Sequence, residues 1–449
     1  MKPNMRNTLF CILILPAIHT LAQSQSTTPR PAVRASGAVS QTVPVVASGM
    51  GDGYTYVYSD RQINDADLKS KEVSKEIAMP KNAEIYVENA SRGIVFKTWD
   101  QQKVKVTTTV YFEGESKLTD DEWLEKVNLS LKTVGSSVKI KSGEVSGGNF
   151  YSYGGGALTG SMSNNLAVFN AMGQNIGTKS NLKRLVTITV PAGSKLDIES
   201  KYAEVQLPGN IGDVSVHITN GSLEGENINK LILRSKYSNV NIGDVKTAEV
   251  EFINGRFIAG NIDDLDIDSK YSSIEMASAK KIVLRSTNDE YELEEAGEVR
   301  GRKSYGNLRI THLNNSLEME GNNADVRIRN VGPALSHIKL DDKFADVRIP
   351  LGNTKNYAID FTGSYSSVYG NFEKKAVTEA NVVEEKKMGG TAPESPVTVS
   401  GRLIPLRLAT VTGSGWSEGN GPSKFTAAVG DGKGLKIEMK CQNCTVDFK

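Results

Sequence analysis

The chain has 449 residues, 53 Lys+Arg against 52 Asp+Glu, and is 38% hydrophobic with 7% aromatic residues. Near-zero net charge removes the electrostatic footprint of a nucleic-acid binder, and 42 glycines without a fixed period exclude collagen and imply many turns. Four histidines and three cysteines leave little material for a metal site.

Residues 1–22 read as an export signal. Lys2 and Arg6 form the basic start, Leu9 to Ile18 the short apolar run, and Thr20-Leu21-Ala22 the cleavage site before Gln23. That run is too short for a bilayer, which takes ~20 apolar residues, and no later stretch reaches transmembrane length. The expected locations are periplasm, cell surface or extracellular space. Residues 23–71, rich in Ser, Thr, Pro, Ala and Gly at their start, read as a flexible leader. A β-rich N-terminal region follows over 72–142, where AEIYVENASRGIVFKTWD and KVKVTTTVYF alternate apolar and polar residues with period two. Within it Thr119-Asp120-Asp121-Glu122 is a capping box, predicting a helix over 119–132 with Trp123, Leu124, Val127, Leu129 and Leu131 on its apolar side. Residues 143–181 form a Gly/Ser/Tyr-rich insert; a loop of that length is functional or disordered, and disorder is the expectation.

From 182 to 375 the chain repeats itself. Tyr202, Asn220, Tyr237, Asn254, Tyr271, Asn288 and Tyr305 are separated by 18, 17, 17, 17, 17 and 17 residues, with a looser continuation through Asn323, Phe344 and Tyr365. Aligned on these positions, one apolar column reads Leu196, Val214, Leu231, Ala248, Leu265, Ile282, Val299, and another lies two residues on. After the Tyr/Asn corner a third reads Val205, Leu223, Val240, Phe257, Ile274, Tyr291, Leu308. Each rung thus carries two short strands with an apolar pair facing one interior, predicting an all-β fold, a β-solenoid with ~17-residue two-strand rungs. Neighbours stacked ~4.8 Å apart would share a continuous core that no rung buries alone. Asn-Gly and Asn-Asp suit a left-handed corner, whereas the Tyr rings are expected to cover the small corner beside them; a ligand-stacking row on the outer face is the alternative. Residues 376–400 lose the register and read as a linker, and 401–449 as a C-terminal β cap.

Chemistry is sparse. His217, His312 and His337 lack partners at metal-ligand spacing, and no GxSxG, P-loop or strand-linked GxGxxG occurs. Neither a catalytic nor a metal site nor a cofactor is expected. Cys441-Gln442-Asn443-Cys444 sits in strand context, so a small structural disulfide is expected between Cys441 and Cys444. Asp263, Asp264, Asp266 and Asp268, then Asp289 to Glu295, could bind Ca²⁺, but Lys270, Lys280, Lys281 and Arg285 beside them favour a mixed-charge solvated face.

EVSKEIAMPKNAEIYVENASRGIVFKTWDQQKVKVTTTVYF, the entry LVTITVPAGSKLDIESKYAEV and the closing GDGKGLKIEMKCQNCTVDF together resemble the bacterial family named "putative adhesin". The resemblance covers roughly residues 72–375 and the last thirty, outside the 143–181 insert and the linker. It implies an exported, non-enzymatic β-solenoid with an adhesive or envelope-interaction role, toward a surface protein or glycan, and brings no catalytic residues. A carbohydrate-active solenoid enzyme and an envelope structural or sensing protein are the rival expectations.

Overall fold

The structure, a computed structural model, describes residues 67–143, 166–179, 182, 185–377 and 422–449. The expected signal segment, nearly all of the leader, and the linker from 378 lie outside the described residues. What is described is all-β with one helix: 24 strands join in a large mixed sheet that is not closed into a barrel.

The columns read from the sequence are the columns of the sheet. Leu196 pairs with Val214, Val214 with Leu231 and Leu231 with Ala248, all in parallel register and all at most 2% exposed. Past the corner, Val205 pairs with Leu223, Leu223 with Val240, and Val240 with Phe257. Period-two alternation puts these side chains on one face, and parallel stacking aligns each with its equivalent 17 or 18 residues away. The burial pattern of Ile228–Ile242 alternates accordingly, interrupted where the chain turns at Tyr237.

The N-terminal region is continuous with this stack. Ile85 pairs in parallel with both Val138 and Leu196, and Ile94 with Val186 and Val205. The strands Glu84–Ala90 and Gly93–Trp99 therefore make one more layer, turning at Ser91 (φ 60°). Order begins earlier than expected: Leu68–Ala78 runs antiparallel to Lys103–Glu113.

The helix spans only Asp120–Lys126. Its capping box is present, with Thr119 Oγ1 accepting from the Glu122 N–H and the Glu122 carboxylate from the Thr119 N–H. Asn128 (φ 54°) turns the chain out of the helix, and Leu129–Val134 is strand, so Leu129 and Leu131 belong to a period-two pattern rather than a helical face. Trp123 is fully buried, stacked at 5.1 Å on Phe112 and edge-on at 5.6 Å to Phe169. Phe169 comes from the expected disordered insert: Leu166–Phe169 and Asn175–Lys179 form an antiparallel hairpin, because Ala167, Val168 and Phe169 have an apolar surface to bury.

The C-terminal cap also departs from expectation. Leu435–Gln442 lies between two earlier strands, parallel to His337–Lys343 on one side and to Tyr357–Ser364 on the other. Pro422–Val429 pairs antiparallel with the far edge of Tyr357–Ser364. The C-terminal hairpin thus straddles that strand, turning through Gly430 (φ 68°) and Gly432 (φ 66°). The last long strand in sequence therefore lies inside the sheet, between two strands that precede it in the chain.

Candidate functional site: the aromatic and asparagine corner

Every sequence-identified corner residue is in the left-handed region: Tyr202, Asn220, Tyr237, Asn254, Tyr271, Asn288 and Tyr305 have φ between 53° and 62°. Asn323, Phe344, Asn443 and Tyr365 continue the set at 52° to 57°. Asn reaches this region readily, but a bulky aromatic residue does so at a cost of about 1 kcal/mol or more. The layers draw close here: a Cβ on Gly255, after Asn254, would stand 1.9 Å from the Ser238 carbonyl oxygen.

Backbone bonds order the corners in space. The Ser91 N–H donates to the Lys201 carbonyl, Tyr202 to Thr219, Asn220 to Lys236, and Asn288 to Ser304. At the far end Phe344 donates to Gln442, and Asn443 to Ser364. Read along the stack, the corner runs Ser91, Tyr202, Asn220, Tyr237, Asn254, Tyr271, Asn288, Tyr305, Asn323, Phe344, Asn443, Tyr365. An aromatic ring alternates with a small polar residue throughout, and the inserted C-terminal segment supplies Asn443 where the alternation requires one. At ~4.8 Å per layer the rings recur every ~10 Å.

The rings are not covered. Tyr202, Tyr237, Tyr271, Tyr305, Phe344 and Tyr365 are 44–60% exposed, more than packing over the neighbouring corner would leave. Between Tyr202 and Tyr237 an open depression of about 500 Å³ is floored by Asn220, Gly221 and Ser222.

Beside the rings runs a second periodic row. Lys201, Lys236, Lys270 and Lys343 immediately precede Tyr202, Tyr237, Tyr271 and Phe344, and all four are exposed. Lys201 pairs with Glu199 at 2.8 Å; Lys236, Lys270 and Lys343 make no ion pair among the described residues. The outer face of the preceding strand differs. There Arg302 reaches Glu320 at 2.6 Å, Lys280 reaches Asp263 at 2.6 Å, and Arg285 pairs with Asp266 and Asp268. The acidic residues considered for Ca²⁺ thus include three held by cations, and no cluster of three or more metal-ligating side chains occurs among the described residues.

Under the corner the core is polar in places. Asp289, 1% exposed, accepts from the Ser272 N–H at 2.7 Å and from the hydroxyls of Ser269 and Ser286 at 2.8 and 2.7 Å. Lys303 Nζ donates to the Asp289 carbonyl oxygen at 2.6 Å and to Ser286 at 3.1 Å, 5.2 Å above the Tyr291 ring. Burial lowers the Lys303 ammonium to about 8, against the pull of Asp289 and Glu290. Burial pushes Asp342 up to about 7, with Asp325 and Asp341 adding to it against the Lys343 N–H bond. Lys303 lies in an enclosed network with Ser286 and Asp289, and Asp342 is buried with its carboxylate accepting from the Lys343 N–H, so both read as structural groups.

Cys441 and Cys444 are buried free thiols, not the expected disulfide. They flank Asn443 at its corner, where Cys444 lies 3.5 Å from the Asp342 carbonyl oxygen and fills core space. His217 and His312 are exposed, and His337 is partly so. Sequence reasoning missed Asn443 and the lysine row. The signals were there: Asn443 is the middle of a CQNC whose flanks alternate like a rung, and the SKY motif repeats its Lys with its Tyr.

No family model and no curated protein matches the chain. Among solved structures, the chain is similar to one named "Putative lipid binding protein" from Parabacteroides distasonis ATCC 8503, at 15% identity over 60% of this chain and 96% of that one, with a TM-score of 0.26. It is also similar to "a putative cell adhesion protein" from Clostridium sporogenes ATCC 15579, at 10% identity over 85% of this chain and 99% of that one, with a TM-score of 0.17. At such TM-scores neither likeness fixes the fold or the function of this chain.

Proposed function

We propose that the chain is an exported, non-enzymatic β-solenoid of two-strand rungs that acts as an adhesion or cell-envelope interaction module, holding a surface protein or glycan along the Tyr/Asn corner. The observation that carries this reading is the row of half-exposed rings, each on a backbone conformation that disfavours it, recurring every second layer. Natural sequences keep local strain where a function uses it, and exposed rings return little of its cost through packing. The two-strand coil supports the reading because it fixes the row in a straight line on a rigid body. A non-catalytic role fits the outer face, where carboxylates lie opposite cations along a flank rather than converging in a cleft.

The test is binding of the purified, labelled chain to envelope fractions and intact cells. Tyr237→Asn/Tyr271→Asn should reduce binding severalfold, whereas Arg302→Ala on the ion-paired face should leave it unchanged. Equal binding by all three proteins would refute the corner as the contact surface. Turnover of a polysaccharide panel, read as new reducing or unsaturated ends, would refute the non-enzymatic reading. Immunodetection of the mature chain in the cytoplasm alone would refute export.

A further inference from the structure

We infer that the corner binds a linear acidic polysaccharide carrying one anionic group per disaccharide, its chain running along the stack. This inference rests on the corner being the contact surface proposed above. Three features of the corner converge on this class of ligand. The rings recur every second layer, ~10 Å apart, which is about the length of a disaccharide in an extended chain, so every second sugar can lay its apolar face on a ring. The intervening corners are exposed asparagines, Asn220, Asn254, Asn288, Asn323 and Asn443, whose amides can both donate to and accept from hydroxyls. A lysine precedes four of the six rings, Tyr202, Tyr237, Tyr271 and Phe344, and none of the corner asparagines, whereas Ser304 and Ser364 precede Tyr305 and Tyr365; where positive charge is offered it therefore falls in register with the disaccharide repeat, and Lys236, Lys270 and Lys343 are free of ion pairs among the described residues.

Charge is mixed on the far flank of the corner. Two residues past the corner the exposed side chains include the acids Glu204, Glu290, Asp325 and Asp346 and the cation Arg256, which pairs with Glu275 at 2.7 Å. A nucleic-acid duplex offers phosphates in the wrong metre, since they recur every ~3.4 Å per strand along its axis. Each contact is weak, and affinity comes from many in register, so binding must grow with ligand length.

Hyaluronan and unsulfated chondroitin, each with one carboxylate per disaccharide, are the probes, titrated calorimetrically into the purified chain. Affinity should rise steeply from short oligosaccharides to long chains and fall with salt. Tyr237→Asn/Tyr271→Asn should weaken binding by roughly tenfold or more. Asparagine occupies the same left-handed corner in alternate layers, so this variant keeps the fold. Lys236→Gln/Lys270→Gln/Lys343→Gln should lose a similar factor together with most of the salt dependence, and Arg302→Ala should lose nothing. Binding hydroxyethylcellulose as tightly as hyaluronan, or single-stranded DNA more tightly, would overturn the inference. So would failure to bind either probe: if Tyr237→Asn/Tyr271→Asn still reduced cell binding, the ligand class alone would fall. If that variant altered neither cell nor polysaccharide binding, the contact surface would fall with it.

Discussion

Tyrosine in a left-handed corner is an expensive choice for the fold, and asparagine one layer away fills the same backbone site at less cost. Tyr237→Asn/Tyr271→Asn should therefore stabilise the protein, by about 0.5–1 kcal/mol per site in denaturant titration, while weakening binding. A loss of stability would mean that the rings hold the stack together. Two buried ionisable groups give opposite pH signatures. Asp342 titrates near 7 folded against an ordinary 3.8, so the native state holds the extra proton and stability falls as pH rises through that window. Lys303 titrates near 8 folded against 10.5, so the native state releases its proton first and stability rises from about pH 8 toward 10.5. Melting curves of Asp342→Asn should lose the first slope and those of Lys303→Met the second; variants that keep both slopes would assign them to other groups.

At the scale of the element, the capped helix is short and buries two side chains, Trp123 and Leu124. Trp123→Ala removes a fully buried ring from between Phe112 and Phe169 and should cost about 3–5 kcal/mol, detaching the 166–179 hairpin to rapid proteolysis. Gly301 stands in the second apolar column, after Leu284, yet has φ 147°, and a Cβ there would sit 1.9 Å from the Leu284 carbonyl oxygen. Gly301→Ala should lower stability by about 2 kcal/mol or more, whereas Ile267→Val in the same column should cost only about 1. The strands and their facing residues were legible because period-two alternation and the 17-residue step are local signals that name partners directly: Val214 opposite Leu231 follows from counting. The helix end was not, because Leu129 and Leu131 satisfy both periods and only Asn128 breaks the tie. The hairpin from Leu166 was hidden because its burial depends on Trp123, forty residues away, which composition cannot register.

For the whole sheet, the decisive feature is where the C-terminal strands go. Leu435–Gln442 fills a slot between His337–Lys343 and Tyr357–Ser364, and Thr445–Asp447 fills the matching slot between Asp346–Arg348 and Ser367–Tyr369. Sequence order suggests a terminal cap instead, since register along a chain says nothing about a later segment entering between earlier ones. Asn443 shows the same limit for the site: its role is visible only once Phe344 and Tyr365 are seen on either side of it. Spin labels on the corner asparagines, with Cys441 and Cys444 replaced by Ser, test this arrangement most directly through pairwise distances. From position 220, labels at 288, 323 and 443 should lie at about 19, 29 and 38 Å, a straight line of four, six and eight layers. Distances that fail to grow in equal steps, or position 443 lying farther from 220 than position 365 does, would contradict the stack.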